Sequence, residues 1–226
     1  DSYDANGDGF SEMPILQNNS FGFNSFFKLS PQDKLEINGW SINEERKGGN
    51  KLDLQADKAD QSEYRLHHIL VAGFNYERQA KDKSSSFSIY SSAQNTKRTH
   101  YTGIDQIDAW GHTKNYSVQN GVQYNYISSE FLNGKNTFTA GVENQYEYTF
   151  DEIKAYDYLI DQQVNLLGAF LQSDWEVTRK LTLLSGLRLN KSNRMDNMVL
   201  TPRLSAIYKI GHETQGRTSY ARGTPY

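Results

Sequence analysis

From Thr137 to Phe150 the chain alternates between two kinds of side chain. Phe138, Ala140, Val142, Asn144, Tyr146, Tyr148 and Phe150 occupy one set of positions; Thr137, Thr139, Gly141, Glu143, Gln145, Glu147 and Thr149 occupy the other. A period of two predicts a β-strand with one apolar and one polar face. The same reading fits 116–127, where Val118, Val122, Tyr124 and Tyr126 oppose Ser117, Gln119, Gln123 and Asn125. It also fits 180–190, where Leu181, Leu183, Leu187 and Leu189 oppose Thr182, Arg188 and Asn190. Weaker copies near 20–29, 34–43, 63–78, 84–95, 162–176, 199–209 and 216–221 bring the total to about ten strands. Several reach about 12 residues, beyond the usual 5 or 6 and enough for the roughly 9 to 11 needed to cross a bilayer.

The connections alternate in length. Short ones fall near Ser30 to Asp33, Gln79 to Lys83, Ser128 to Lys135, Val177 to Arg179 and Gly211 to Gln215. Longer ones fall near Glu44 to Ser62, Asn95 to Thr113, Asp151 to Asp161 and Lys191 to Met198. Short turns on one side and long loops on the other are the pattern of an outer-membrane barrel, with the short side periplasmic and the long side extracellular. Tyr76, Tyr126, Tyr148, Phe150, Trp175 and Tyr208 near strand ends suit the aromatic girdles of such a barrel, or cross-strand packing.

Two strands break the pattern. In 34–43 the apolar set changes face between Ile37 and Trp40, and in 162–176 apolar residues fall on both faces, Leu166 and Phe170 against Leu167 and Leu171. Either a bulge or a contact with something inside a barrel would account for this. Pro202 within a strand fits a strand start or a bulge.

Composition narrows the class. Only 36% of residues are apolar, yet 13% are aromatic, with 15 Tyr and 11 Phe, which is unlike a disordered chain. No stretch approaches the roughly 18 to 20 apolar residues of a membrane helix, whereas a membrane barrel keeps a hydrophilic average because its two faces alternate. Cysteine is absent, which removes disulfides and thiolate metal sites. A net charge of -3 without a basic block gives no footprint for nucleic acid, so none is expected as a partner. The opening at Asp1 shows no signal-peptide pattern, so the expectation is a missing or processed start.

The segments DANGDGFSEMP (Asp4 to Pro14), ERKGGN (Glu45 to Asn50), SVQNGVQYNY (Ser117 to Tyr126), GAFLQSDWEV with KLTLLSGLRLN (Gly168 to Asn190), and LTPRLSAIYKI with RTSYARG (Leu200 to Gly223) resemble, in that order, strands of TonB-dependent outer-membrane receptors. The likeness is to the branch from Bacteroides-type bacteria, associated with cobalamin or iron-chelate uptake. The resemblance implies location in the bacterial outer membrane, contact with its lipid, an N-terminal plug domain that contacts TonB, and a barrel of about 22 strands. It also implies a small-molecule cargo. Plug and remaining strands are not visible in this chain, and Gly223 to Tyr226 depart from the family's pattern. An open partial barrel cannot satisfy its edge groups in hydrocarbon, so residues 1–226 are expected to be one partial barrel domain of something larger.

One constellation offers metal chemistry. Asp4, Asn6, Asp8, the Phe10 carbonyl and Glu12 place oxygen ligands two residues apart around Gly9, as in the first half of an EF-hand loop. Ile15 stands where a bidentate carboxylate would close such a loop, and a metal-free Asx turn is the plain alternative. Calcium is thus a candidate ligand, and no organic cofactor is expected. Lys97, Arg98, His100 and Tyr101, with Trp110 and His112 across the same loop, are candidates for binding cargo at the outer mouth. His67 and His68 are adjacent on a strand and point to opposite faces, which disfavours joint ligation. Glu143 and Arg188 project to the expected lumen.

There is no Gly-x-Ser-x-Gly elbow, phosphate-binding glycine loop or His-Glu-x-x-His, so an enzyme is not expected. The leading reading is an all-β, antiparallel transmembrane barrel fragment from a transporter that imports cobalamin, a ferric siderophore or haem. A passive porin or other outer-membrane barrel, and a soluble calcium-binding β protein, remain the alternatives.

Overall fold

In the computed structural model the chain forms one antiparallel sheet of ten strands, each hydrogen-bonded to the next in chain order. The structure describes residues 3–105, 107–211 and 213–223; the departure from the family pattern at 224–226 lies outside the described residues. The strands are β1 (Ile15–Lys28), β2 (Asp33–Gly49), β3 (Gln61–Gln79), β4 (Ser85–Ile104), β5 (Trp110–Phe131), β6 (Gly134–Ile153), β7 (Tyr158–Glu176), β8 (Leu181–Ser192), β9 (Val199–Lys209) and β10 (Gln215–Ala221). The other regular pieces among the described residues are two single 3-10 turns, at Ala56–Lys58 and Lys154–Tyr156.

The sheet is a single layer. Val142 and Leu187, which a two-layer sandwich would bury together, are each 51% exposed. The register sorts the side chains onto two faces. One carries Phe74, Ile89, Val122, Val142, Ala169, Leu187 and Leu204, and the other Asn75, Tyr90, Gln123, Glu143, Gly168, Arg188 and Thr201. The first is the face for lipid and the second the wall of a lumen. Tyr76, Tyr126, Tyr148, Phe150, Trp175 and Tyr208 all lie on the lipid-side face.

The strands outrun the alternation that predicted them. β5 has 22 residues and β4 and β6 have 20 each, about twice the 9 to 11 a bilayer crossing takes. Most of the excess lies at one end: β2 continues past 43 to Gly49, β4 past 95 to Ile104, and β5 begins at Trp110, while at the other end β5 and β6 add only a few residues each. The longer connections are therefore mostly paired hairpin, and among the described residues the chain between strands at this end is reduced to 50–60, 105, 107–109, 154–157 and 193–198. Beyond the bilayer both faces meet water, so pairing persists after the apolar face has ended. At the opposite end the turns are tight. The β5–β6 turn puts Leu132 and Asn133 at φ 45° and 63°, the handedness of a two-residue hairpin turn that suits twisted strands.

The two irregular strands contain no bulge. β2 pairs with both neighbours in continuous register, which sends Ile37 to the lipid side and Trp40 to the lumen, where its ring covers Gly22. β7 likewise keeps its register against β6, with Phe170 in the lumen over Gly141. The bulge expected as one explanation is therefore absent from both strands, and the inward rings of Trp40 and Phe170 lie against glycines of the wall itself. A small buried cluster sits at the extended end, where Ala56, Tyr101 and Ala109 pack with Tyr64, Trp110 and Ile153.

Candidate functional site at the outer mouth

The inner wall carries two polar networks. Midway along, Tyr90 Oη donates to Glu143 Oε1 at 2.5 Å, and Arg188 Nη1 meets Glu143 Oε2 at 2.6 Å. Arg188 also donates through Nε to Asn190 Oδ1 at 2.9 Å, with its guanidinium 5.8 Å from the Phe170 ring centre. Its members come from four strands, so the network ties β4, β6, β7 and β8 together on the lumen side. The expected lumen residues Glu143 and Arg188 are thus direct partners. Charge-assisted bonds of this kind are about twice as strong as neutral ones.

Nearer the extended end, Asp151 gathers a second network. Its Oδ1 accepts from Thr113 Oγ1 at 2.6 Å and lies 3.1 Å from His100 Nε2, while Oδ2 lies 3.4 Å from Arg98 Nη2. Arg98 Nε in turn donates to Thr113 Oγ1 at 3.0 Å. The arrangement holds one carboxylate among three side-chain donors and ties β4, β5 and β6 together on the lumen side.

These contacts divide the six residues picked out as cargo contacts. All six lie on paired strands, not in a loop, and strand alternation separates them. Arg98 and His100 face the lumen, and His100 is buried by its partners. Lys97, Tyr101, Trp110 and His112 face the other way. Tyr101 is fully buried, its ring 5.3 Å from Trp110 and its hydroxyl 2.8 Å from the Ile107 carbonyl, and Trp110 stacks edge-on to Tyr64 at 5.6 Å. The six therefore divide between the two faces of the sheet, two toward the lumen and four away from it.

Around Asp4 the loop is folded by its own bonds. Asp4 accepts the Gly7 and Gly9 N–H groups at 2.7 and 2.9 Å, Asp8 accepts from Phe10 N–H at 2.8 Å, and Glu12 accepts from Ala5 N–H at 2.7 Å. Asn6 bonds Asp8 through its side-chain amide at 3.0 Å. Gly9 sits at φ 85°, which permits the sharp turn. Among the described residues no group of three or more acidic or imidazole side chains converges closely enough to hold a metal ion. Each carboxylate oxygen keeps a further lone pair, so the donor chemistry suits a hard cation although the cage is not preformed.

This loop is anchored to the end of β2, where Phe10 bridges to Asn50 and Ser11 N–H bonds the Gly49 carbonyl at 3.1 Å. Asn50 continues the chain of contacts, since its Nδ2 donates to Asp60 Oδ2 at 2.9 Å and its Oδ1 accepts from Asp60 N–H at 3.1 Å. Lys51 Nζ completes the set, 2.8 Å from Asp60 Oδ1. The Lys51 bond, with the Asn50 bond second, holds the Asp60 carboxyl below its usual pKa.

Beside this junction lies a cleft of about 450 Å³ lined by Phe10, Pro14, Glu63, Thr102, Ile104 and Tyr156. Tyr156 is braced across it by its hydroxyl, 2.7 Å from the Thr102 carbonyl. Of these residues the sequence pointed only to Phe10, and for its carbonyl. The available signal was the apolar content of connections otherwise taken as solvated, Ile104 and Tyr156 among them. Aromatic walls, an open face and one carboxylate can hold part of a large ligand.

A family model described as "TonB dependent receptor-like, beta-barrel" matches residues 1–224. No curated relative matches the chain. Among solved structures it is similar to the ferripyoverdine receptor of the outer membrane of Pseudomonas aeruginosa bound to ferripyoverdine, with a TM-score of 0.69 and 12% identity over 92% of this chain and 36% of that one. It is similar to the siderophore receptor PirA from Pseudomonas aeruginosa, with a TM-score of 0.68 and 11% identity over 91% and 33%. PirA from Acinetobacter baumannii gives the same values. The chain spans about a third of the length of these structures.

Proposed function

The chain belongs to the TonB-dependent receptor β-barrel family of the outer membrane, and on that basis we propose that it supplies part of the wall and outer rim of an importer for a large scarce nutrient. The cargo class is cobalamin, a ferric siderophore or haem, and the siderophore receptors among the similar structures favour the second. Cargo binds at the outer mouth, and a plug domain remodelled through TonB admits it; differential binding to two states drives the cycle, with no covalent step. The observation that carries this reading is the aromatic cleft of Phe10, Ile104 and Tyr156 at the extended end of a wall whose inner face is polar and braced.

The test is cargo binding by the full-length receptor in detergent, with each of the three cargo classes titrated in turn. One class binds, and Tyr156→Ala weakens it about tenfold, as expected for an aromatic anchor. Failure of all three to bind, together with free ion conductance in planar bilayers, would favour a passive channel.

For the Asp4 loop the same reading includes calcium as an ordering ligand, supported by the oxygen spacing of Asp4, Asn6, Asp8, the Phe10 carbonyl and Glu12. Calorimetric titration of the full-length receptor should show a calcium site that Asp4→Ala with Asp8→Ala removes. Unchanged heats in that variant would clear the loop of any such role.

A further inference from the structure

Midway through the apolar band, a polar row crosses the lipid-side face of β4, β5 and β6. The register sets Ser91 opposite Asn120 and Asn120 opposite Asn144. The neighbouring rows on this face are apolar or aromatic, with Ile89, Val122 and Val142 on one side and Ala93, Val118 and Tyr146 on the other. On β5 Asn120 stands between Tyr126 and Tyr116, and on β6 Asn144 stands between Phe138 and Tyr148, the residues that mark the edges of the band. Both amides therefore lie near the depth where hydrocarbon offers neither water nor headgroups.

The row meets only part of its own hydrogen-bonding capacity. Ser91 Oγ donates to Asn120 Oδ1 at 2.7 Å, and Asn144 Nδ2 donates to Asn165 Oδ1 on β7 at 2.6 Å. Asn120 is exposed, and its Nδ2 donates to no group among the described residues. An amide N–H left unpaired in hydrocarbon is costly, and acyl chains supply no acceptor. Each of β4, β5 and β6 is paired on both sides, so further strands of a barrel join at β1 and β10 and leave this face open. The group that completes the row is polar and is carried into the bilayer by protein, at the depth of Asn120.

We propose that this row is the contact at which two copies of the receptor associate in the membrane. A carboxamide is its own complement, because it both donates and accepts. A two-fold axis along the membrane normal keeps every residue at its own depth, and so brings Asn120 of one copy to Asn120 of the other. Nδ2 of each donates to Oδ1 of the other, which keeps a lone pair beside the one that takes the Ser91 proton. The strands of the two copies, each tilted by about 40°, cross at about twice that angle. Contact is thus concentrated around the axis, where the short side chains of Ala93 and Val118 let the two walls approach. An unrelated barrel would need a polar group at this depth by coincidence, whereas a second copy brings one by symmetry.

The experiment uses the full-length receptor in phosphatidylcholine vesicles, labelled in two colours at Lys81→Cys in the β3–β4 turn, with energy transfer followed as the protein is diluted into lipid. Folding of every variant is checked by heat-modifiable mobility. The native receptor should associate reversibly, and Asn120→Leu, which suits lipid and leaves the fold intact, should weaken association about tenfold. Asn120→Gln keeps the carboxamide and should stay within about threefold, and Leu204→Val, on the lipid face of β9, should change nothing. Transfer at the level of random collision for the native receptor at every dilution would overturn the assignment. So would association of Asn120→Leu within about twofold of native, or an equal loss in Asn120→Gln. In native outer membranes a short bis-maleimide should join Val118→Cys receptors into pairs; capture of a different protein in place of the second copy would also overturn it. Because cargo is absent from these assays, their outcome is independent of the transport reading.

Discussion

Placing an arginine at Val142 tests the orientation of the whole sheet. The lipid-side positions of β6 run from Phe138 through Ala140, Val142, Asn144 and Tyr146 to Tyr148. From Phe138 to Tyr148 is 10 steps (148 − 138), or roughly 33 Å of strand, and a tilt near 40° reduces this to about 25 Å of height, the thickness of the apolar band. Val142 lies close to the middle of that span and is 51% exposed, so its side chain enters lipid directly. An arginine at the midplane of a barrel's lipid face costs about 2 to 4 kcal/mol. Gln145→Arg is the control, since it lies three residues on, faces the lumen and has Glu143 and Glu147 two residues away on its own face; its expected cost is under about 0.5 kcal/mol. Both values come from reversible unfolding of the full-length receptor in phospholipid vesicles, read as shifts in denaturant midpoint at constant slope. If the two variants cost the same, or if Gln145→Arg costs more, the assignment of lipid and lumen faces is wrong.

Three further outcomes follow from the geometry. Tyr101→Phe removes the bond to the Ile107 carbonyl and should cost about 1 kcal/mol, whereas Tyr101→Ala empties the outer cluster and should cost about 3 to 5. Hydrogen exchange in 50–60 and 105–109 should then accelerate while the membrane span stays protected. Asp60 has a lowered pKa, so its contribution is complete above the ordinary carboxylate range and is lost as pH falls through the lowered value. Protection factors at the Asp60 and Gln61 amides, with the intrinsic pH dependence of exchange divided out, should therefore fall below about pH 4, and a loss of protection on going from pH 5 to 8 would contradict the sign. A double-mutant cycle of Glu143→Gln and Arg188→Met should give a coupling of about 1 kcal/mol, modest because Arg188 is 35% exposed; additive effects would show that the lumen network is not a unit.

The sequence made the membrane span legible because lipid enforces alternation. Phe138, Val142, Leu183 and Leu187 must face hydrocarbon while Glu143 and Arg188 must not, and all ten strands were visible on that basis. Above the bilayer the constraint lapses. The stretch from Thr96 to Ile104 carries polar residues on both faces, so nothing in it distinguished a paired strand from a loop, although its hydrogen bonds continue to β3 and β5. The same loss hid the division of Lys97, Arg98, His100, Tyr101, Trp110 and His112 between the two faces, because alternation applies to a strand and not to a loop. The rim cleft was out of reach for another reason, since Phe10, Ile104 and Tyr156 meet through contacts far apart in the chain.

Three of the aromatic residues on the inner face share a feature that needs both sequence and register. Trp40 lies opposite Gly22, Phe170 opposite Gly141, and Tyr90 opposite Gly121. In each case a methyl group added at the glycine would overlap the aromatic ring. The ring lies flat across the neighbouring strand, covering backbone that glycine leaves bare, and so removes its own apolar surface from the lumen water. An inward aromatic is therefore no sign of a bulge or of an error in alternation where its cross-strand partner is glycine. Gly22→Ala, Gly121→Ala and Gly141→Ala would each force the ring off the wall and into the lumen, the space a plug or a passing cargo must share.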